Sequence, residues 1–192
     1  MNGTSPKEEG KQKISEVKTF PVSLSLKENE ENLTINTNTS AKPSKEQLIK
    51  QAINFHLEGN ISEAAKLYKS FINQNYNDHR VFSNYGIILK DLGKLQEAEL
   101  SYRKAIELKP NYAEAHSNLG IILKDNGKLQ EAELSYRKAI ELKPDYAEAH
   151  TNLGNTLKDI GKSQEAELST RKAIEIKPDY SEAHFNLSLI HI

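Results

Sequence analysis

Apolar residues recur at steps of three and four along most of the chain, the spacing that places side chains on one face of an α-helix. One such segment spans about residues 113–126 and has its face at Ala115, His116, Leu119, Ile122 and Leu123. A second spans about residues 128–142, with its face at Leu129, Ala132, Tyr136, Ala139 and Ile140. Gly127 separates the two segments, and Pro144, which lacks an amide donor, follows the second. The pattern predicts two helices joined by a tight turn.

This helical pair recurs with a fixed period. Residues 86–116 reappear at 120–150 with two exchanges, Leu92 becoming Asn126 and Asn111 becoming Asp145, and a third copy occupies 154–184. The offset between copies is 34 residues (120 minus 86). A fixed period in this range is typical of solenoids, in which each repeat buries its apolar face against its neighbours.

The unit resembles the tetratricopeptide repeat (TPR), a helix-turn-helix of about 34 residues. The matching positions are Leu119, Gly120, Ala132, Tyr136, Ala139 and Pro144. His116 departs from the family pattern because an aromatic residue is usual there, and Thr170 replaces the Tyr of the neighbouring copies. The resemblance implies an all-α, right-handed superhelical solenoid. Its repeats would be residues 45–78, 79–112, 113–146 and 147–180, followed by a partial repeat at 181–192.

The first 43 residues have a different composition. Lys, Glu, Asn, Ser and Thr dominate, and the scattered hydrophobic residues are too few to offset the entropy cost of ordering. We expect a disordered polar segment over 1–43, with the array over 44–192. A polar start without a secretory signal and the absence of Cys favour a cytoplasmic location. No apolar run approaches membrane-spanning length.

Capping boxes are predicted where helices begin. In such a box a side chain at the helix start accepts from the helix amides, and a Glu or Gln three residues later reaches back. Ser44 and Gln47 fit this pattern at the start of the array. The loops between repeats offer three further pairs, which are Asn111 with Glu114, Asp145 with Glu148, and Asp179 with Glu182.

In TPR arrays the first helices line the concave face, and by that resemblance one asparagine per repeat lines a groove here: Asn84, Asn118, Asn152 and Asn186. An asparagine amide can donate to and accept from the backbone of an extended peptide. The flanking lysines would join them as peptide-binding residues, at Lys90, Lys124 and Lys158. The alternatives are hydrogen bonding within the array for the asparagines and a solvated face for the lysines. The predicted function is a scaffold that binds extended segments of partner proteins.

The same asparagine row resembles the ladder in the TPR arm of O-GlcNAc transferases. This implies an alternative function, the substrate-recruiting arm of a larger glycosyltransferase, with the chain cut short at Ile192. The carboxylate clamp of other TPR proteins fits less well. It needs Lys and Arg residues from adjacent first helices, whereas the corresponding positions here hold the asparagines and Glu114, Glu148 and Glu182.

Charge and residue types argue against several other functions. The formal net charge is −1, and Lys90 is followed by Asp91 in each copy, so no basic stripe predicts binding to nucleic acid or to an acidic membrane. Glu131 and Glu133 diverge by about 200° around their helix and cannot form an acid/base pair. Glutamates instead precede arginines by four residues as ion pairs, at Glu99 with Arg103, Glu133 with Arg137, and Glu167 with Arg171.

The histidines that recur in successive repeats are the remaining candidates for chemistry. They are His116, His150 and His184. Neighbouring helices lie about 10 Å apart, whereas ligands about 2.1 Å from one zinc ion must lie much closer together. Structural packing is therefore favoured. No catalytic residue, cofactor or metal site is predicted.

Two sets of apolar residues fall outside the predicted helix–helix faces. Leu100, Leu134 and Leu168 lie near the polar side of the second helices, where packing between repeats is favoured over a convex binding stripe. Phe185, Leu189 and Ile192 have no later repeat to meet. Because exposed apolar patches mark binding or aggregation surfaces, the sequence predicts self-association through the C-terminal end.

Overall fold

The computed structural model describes residues 43–190. The expected disordered segment, Pro43 apart, lies outside this part of the chain, as does Ile192. The described helices are α1 Lys45–Leu57, α2 Ile61–Asn73, α3 His79–Asp91, α4 Leu95–Leu108, α5 Ala113–Asp125, α6 Leu129–Leu142, α7 Ala147–Asp159, α8 Ser163–Ile176 and α9 Ser181–Ile190. The pair predicted at about 113–126 and 128–142 is thus observed within one residue of its expected bounds.

Each first helix turns into its second helix at a glycine with positive φ. These glycines are Gly59, Gly93, Gly127 and Gly161, with φ between +72° and +86°. At the end of α5 the amide of Gly127 donates to Lys124 at 2.9 Å, and the amide of Lys128 donates to the carbonyl of Leu123 at 2.8 Å. This pair of bonds is the Schellman motif, which requires the left-handed conformation that glycine adopts without strain.

A second set of glycines allows the two helices of a hairpin to approach closely. A Cβ built on Gly120 would lie 2.7 Å from Cε1 of Tyr136, and one on Gly86 would lie 2.8 Å from Cζ of Tyr102. Both tyrosine rings are fully buried against these backbones. In the fourth hairpin, Gly154 faces Thr170 instead, so a smaller side chain fills the crossing there.

The hairpins stack into a curved solenoid. Each second helix packs on the first helix of the next repeat, and successive first helices also approach one another, as α3 does with α5, α5 with α7, and α7 with α9. Successive second helices have no comparably close approach within the described residues. The first helices therefore lie on the inner, concave side of the curve and the second helices on the outer, convex side.

The capping boxes predicted for the loops between repeats are wrong, although the one at Ser44 and Gln47 is confirmed. The residue that caps α7 is Tyr146, and it makes no side-chain capping bond. Asp145 lies one residue too early, which moves Glu148 to the second helical position, from which it cannot reach back. Tyr112 takes the same place before α5. Before α9, Glu182 accepts a hydrogen bond from the Tyr180 hydroxyl at 3.2 Å instead.

Histidines hold these loops in place. The Nε2 of His116 donates to the carbonyl of Pro110 at 2.9 Å, and His150 and His184 make the same bond to Pro144 and Pro178 at 3.1 and 2.7 Å. The structural interpretation of these histidines is confirmed by these bonds. No group of three or more potential metal ligands occurs in residues 43–190.

Ion pairs join successive second helices on the outer side of the array. The predicted pairs are observed, with Glu99 bound to Arg103 at 2.9 Å, Glu133 to Arg137 at 2.9 Å and Glu167 to Arg171 at 2.8 Å. The glutamates of the first two pairs are largely buried, since the side chains of Glu99 and Glu133 are only 13% and 11% exposed. Each also binds a lysine of the next repeat, Glu99 to Lys128 at 3.0 Å and Glu133 to Lys162 at 2.9 Å.

Candidate interaction surfaces

The predicted asparagine row lies along the first helices, and its members are largely buried. Asn84, Asn118, Asn152 and Asn186 are 0%, 4%, 8% and 7% exposed. The accessible part of the row therefore lies toward α7 and α9, and Asn84 is covered by the surrounding protein.

The asparagine side chains are poorly satisfied where they lie. The Nδ2 atoms of Asn84, Asn118 and Asn186 are buried without a hydrogen bond among the described residues, and so is the Oδ1 of Asn84. Asn84 lies near the hydroxyl of Tyr68 in the preceding repeat. Burial raises the pKa of Tyr68, and the nearby asparagine opposes that rise. The two groups do not align in a hydrogen bond. A buried amide donor without an acceptor costs about 1–3 kcal/mol. An acceptor that reached the amide of Asn118 or Asn186 would remove this cost, whereas Asn84 is fully enclosed.

The predicted lysines belong to a charge ladder along the concave side that sequence analysis missed. The Nζ of Lys124 lies 3.1 Å from Oδ2 of Asp159, 35 residues further on (159 minus 124). Lys90 precedes Asp125 by the same 35 residues. Burial raises the pKa of the Asp125 carboxyl, and the positive charge of Lys90 opposes that rise. Lys158 is exposed and has no ion pair within residues 43–190. The sequence does contain this pattern, because each copy has a Lys-Asp dipeptide, and the Asp of one copy therefore follows the Lys of the preceding copy by 35 residues.

His56 occupies the first rung of this ladder. Asp91 follows it by 35 residues (91 minus 56) and acts to raise its pKa, yet burial dominates and leaves the pKa lowered. Its Nδ1 is buried without a hydrogen-bond partner among the described residues. A neutral imidazole thus stands where the later repeats have a lysine ammonium.

The floor of the concave side is closed rather than apolar and open. Ile87 and Ile121, two apolar residues of the first helices, are only 3% and 4% exposed. Successive first helices approach closely enough to bury them. The accessible concave surface is therefore polar.

On the convex side the expectation for the three leucines is wrong. Leu100, Leu134 and Leu168 are 69%, 68% and 70% exposed, so they do not pack between repeats. The preceding residue faces the neighbouring repeat instead, since Glu99 and Glu133 are drawn there by Lys128 and Lys162. We call Leu100, Leu134 and Leu168 the leucine row.

Grooves with apolar floors lie beside the leucine row. The groove between α4 and α6 has a volume of about 460 Å³, with Ile106 and Leu119 on its floor and Leu134 at its edge. The groove between α6 and α8 has a volume of about 480 Å³, with Ile140 and Leu153 on its floor and Leu168 at its edge. One groove and one projecting leucine thus alternate along these repeats.

The C-terminal face expected to self-associate is only partly exposed. Phe185 is 59% exposed, whereas Leu187 and Leu189 are partly buried. Ile192 lies outside the described residues.

This curved stack of helical hairpins, with an inner polar row and an outer leucine row, is the architecture of a helical-repeat protein. Family models confirm the kind of repeat. A TPR repeat model matches residues 86–127 and 122–161, and a tetratricopeptide repeat model matches 147–180. The chain is a tetratricopeptide-repeat protein.

Solved structures show the same fold. MamA is 26% identical, over 73% of this chain and 82% of that one, with a TM-score of 0.67. YrrB, described as a TPR protein with an unusual peptide-binding site, is 24% identical over 72% of each chain, with a TM-score of 0.66. The second TPR domain of human RPAP3, solved with an HSP70 peptide, is 24% identical over 58% of this chain and 92% of that one, with a TM-score of 0.56.

These comparisons confirm the all-α TPR solenoid expected from the sequence. The narrower resemblance to the TPR arm of O-GlcNAc transferases finds no support in them. No curated protein matches the chain. None of the helices within residues 43–190 has both the length and the apolar character needed to cross a membrane.

Proposed function

We propose that this chain is a protein-interaction scaffold that binds extended segments of partner proteins along its concave side. The observation that carries the proposal is the row of asparagines along the first helices, in which the Nδ2 donors of Asn118 and Asn186 lack acceptors among the described residues. The carbonyl oxygens of an extended peptide backbone are acceptors at regular spacing, so one peptide could satisfy several rungs. Peptide binding by YrrB and by the RPAP3 domain supports the same role for this fold.

The reachable part of the groove is the half formed by α5, α7 and α9. Asn118, Asn152 and Asn186 retain some exposure, and Lys124 and Lys158 lie further along the same helices as Asn118 and Asn152. Asn84 and Lys90 are more enclosed, so a ligand would contact them only after the covering groups move. We therefore place the peptide over the last three first helices of the described array.

Backbone recognition predicts tolerance of ligand sequence. An amide ladder contacts main-chain atoms that every peptide has, whereas side-chain selection needs pockets or charges. The free ammonium of Lys158 is the one groove lysine without an ion pair among the described residues, and it favours an acidic residue in that part of the ligand.

Binding of a peptide library to the full chain and to the Asn118→Ala/Asn152→Ala variant tests the proposal. We expect affinity to fall about tenfold or more if two backbone hydrogen bonds of about 1 kcal/mol each are lost. Asn111→Asp is the matched control, because residue 111 is exposed in a loop and the next copy has Asp145 there. Equal affinity of the double variant and the wild type would remove the asparagine row from the mechanism.

The sequence also leads to two further proposals, a recruiting arm of a larger enzyme and self-association. The recruiting arm of a larger transferase would require a catalytic domain in the same reading frame, and sequencing the adjacent DNA decides it. Self-association through α9 rests on Phe185, the strongly exposed apolar residue of that helix. Light scattering of a Phe185→Ser variant tests it, with unchanged association counting against this contact.

A further inference from the structure

The leucine row is an apolar feature on an otherwise charged surface. Leu100, Leu134 and Leu168 occupy the same position on α4, α6 and α8, and each is about two-thirds exposed. Helix formation and stacking do not require leucine here, since the equivalent residue of α2 is Lys66. Nothing within residues 43–190 covers these side chains.

Exposed leucines and apolar grooves alternate along the row at a constant spacing. The groove edged by Leu134 and the groove edged by Leu168 each have an apolar floor, and they recur with the 34-residue repeat. A partner that engages all of them must carry apolar groups at this same spacing. A second copy of the chain carries them on the same face.

Charges flank the row asymmetrically. On each second helix a glutamate lies one turn before the leucine, and an arginine and a lysine lie one turn after it, on the same face. Around Leu134 these are Glu131, Arg137 and Lys138, and the other two helices repeat the arrangement. Next to each leucine, one side of the row is therefore acidic and the other side basic, and one turn beyond the basic side Glu141 and its counterparts pair with the lysines.

We propose that the convex face binds a second copy of this chain through the leucine row. A two-fold axis parallel to the row places each leucine against its own counterpart and the acidic side of one copy against the basic side of the other. An axis across the row would place like charges together. The resulting contact is isologous, as two-fold interfaces are.

Charges along this contact can change partners at little cost. The intrachain pairs Arg103–Glu131 and Lys138–Glu141 are exposed, and such pairs contribute about 0–1 kcal/mol each. Two convex faces meet over a limited area, so the interface falls at the small end of specific contacts, below about 1,200 Å². We expect a reversible dimer that forms as protein concentration rises.

Sedimentation equilibrium of the full chain at several concentrations measures this association. The wild type is expected to dimerise, and Leu134→Glu and Leu134→Arg are each expected to stay monomeric. Mixing these two variants restores a dimer, because residue 134 faces residue 134 of the partner and opposite charges then meet. Leu92→Asn is the control, since Leu92 is 61% exposed beside Lys66, in the repeat where the row has no leucine, and the next copy has Asn126 there.

The axis has its own test. A mixture of Leu100→Glu with Leu100→Arg should associate at least tenfold more tightly than a mixture of Leu100→Glu with Leu168→Arg. The reverse order would overturn the proposed pairing. A wild type that stays monomeric at every concentration, or a dimer lost in Phe185→Ser but kept in Leu134→Glu, would overturn the convex contact. Circular dichroism of each variant verifies that these exposed substitutions leave the helices intact.

Discussion

Glu133 and Leu134 are neighbours in sequence, yet the charged side chain is the buried one. The carboxylate of Glu133 lies 2.9 Å from Nζ of Lys162 in the next repeat and 2.9 Å from Arg137, while Leu134 is 68% exposed. Burial acts to raise the pKa of Glu133, and the two cations outweigh it and leave that pKa lowered. The ion pair to Lys162 thus turns the Glu133 face of α6, and not the Leu134 face, toward the next repeat.

Glu133→Ala should therefore destabilise the array. The substitution leaves Arg137 and Lys162 without their shared carboxylate, and since both cations are nearly half exposed the cost should be about 1–2 kcal/mol, below that of a fully buried pair. Urea unfolding followed by circular dichroism measures it. Glu141→Ala is the control, because Glu141 is 67% exposed in its pair with Lys138. A loss no larger than that of the control would show that the network is not stabilising.

Removing the polar group of Asn84 should raise stability. Both polar atoms of Asn84 are buried without hydrogen bonds among the described residues, and an apolar residue of similar shape carries no such penalty. We expect Asn84→Leu to increase the free energy of unfolding by about 1 kcal/mol. Asn152→Leu, at a more accessible rung, should gain less. A net loss at Asn84 would indicate that the side chain is satisfied by an ordered water molecule.

Caps that differ in geometry should differ in energy. Ser44→Ala removes a side chain that accepts from the amide of Gln47 at 3.2 Å, and loss of such a cap costs about 1 kcal/mol. Asp145→Ala should change the free energy of unfolding by less than about 0.5 kcal/mol, because Asp145 lies outside the helix cap. Thermal or urea unfolding of both variants compares them directly. Equal losses would restore the capping box predicted from the sequence.

Stability should decline as pH falls below about 6.5. Burial lowers the pKa values of His56 and His150 in the folded chain, so the unfolded chain binds protons first as the solution is acidified. Their contribution is complete above the unfolded pKa and is lost as pH falls through the lower folded values. Urea unfolding between pH 7.5 and 5 should show a flatter profile for His56→Gln/His150→Gln. If the pH dependence of the free energy of unfolding is the same in the double variant and the wild type, these two histidines are not its source. His184→Gln, at an exposed histidine, is the control.

The sequence predicted the repeat and its helices because the apolar face and Gly127 are local signals that the solenoid repeats without long-range topology. It did not predict which residue caps α7, since Tyr146 and Asp145 differ by one position and loop geometry decides between them. Leu134 was misplaced for a similar reason, because Glu133 and Leu134 are separated by about 100° of helix rotation. The ion pair to Lys162, a non-local contact, fixes that rotation.

The candidate groove was foreseen only in outline. The TPR resemblance located Asn118 on the inner face, but the degree of burial depends on how closely successive first helices approach, which the residue pattern does not encode. The Lys124–Asp159 ladder follows from the same curvature. Periodicity thus predicts the side of the array on which a residue lies, and the curvature determines its exposure.

The bridges between second helices also have a mechanical consequence. Arg103 reaches Glu131, and Arg137 reaches Glu165, across an outer surface where the helices themselves lie apart. When the array bends, the touching first helices act as the pivot and these long side chains take up the change in length. Raising salt shortens the Debye length from about 8 Å at 0.15 M to about 3 Å at 1 M. The solenoid should then bend more easily, so that its curvature adjusts more readily to the shape of a bound ligand.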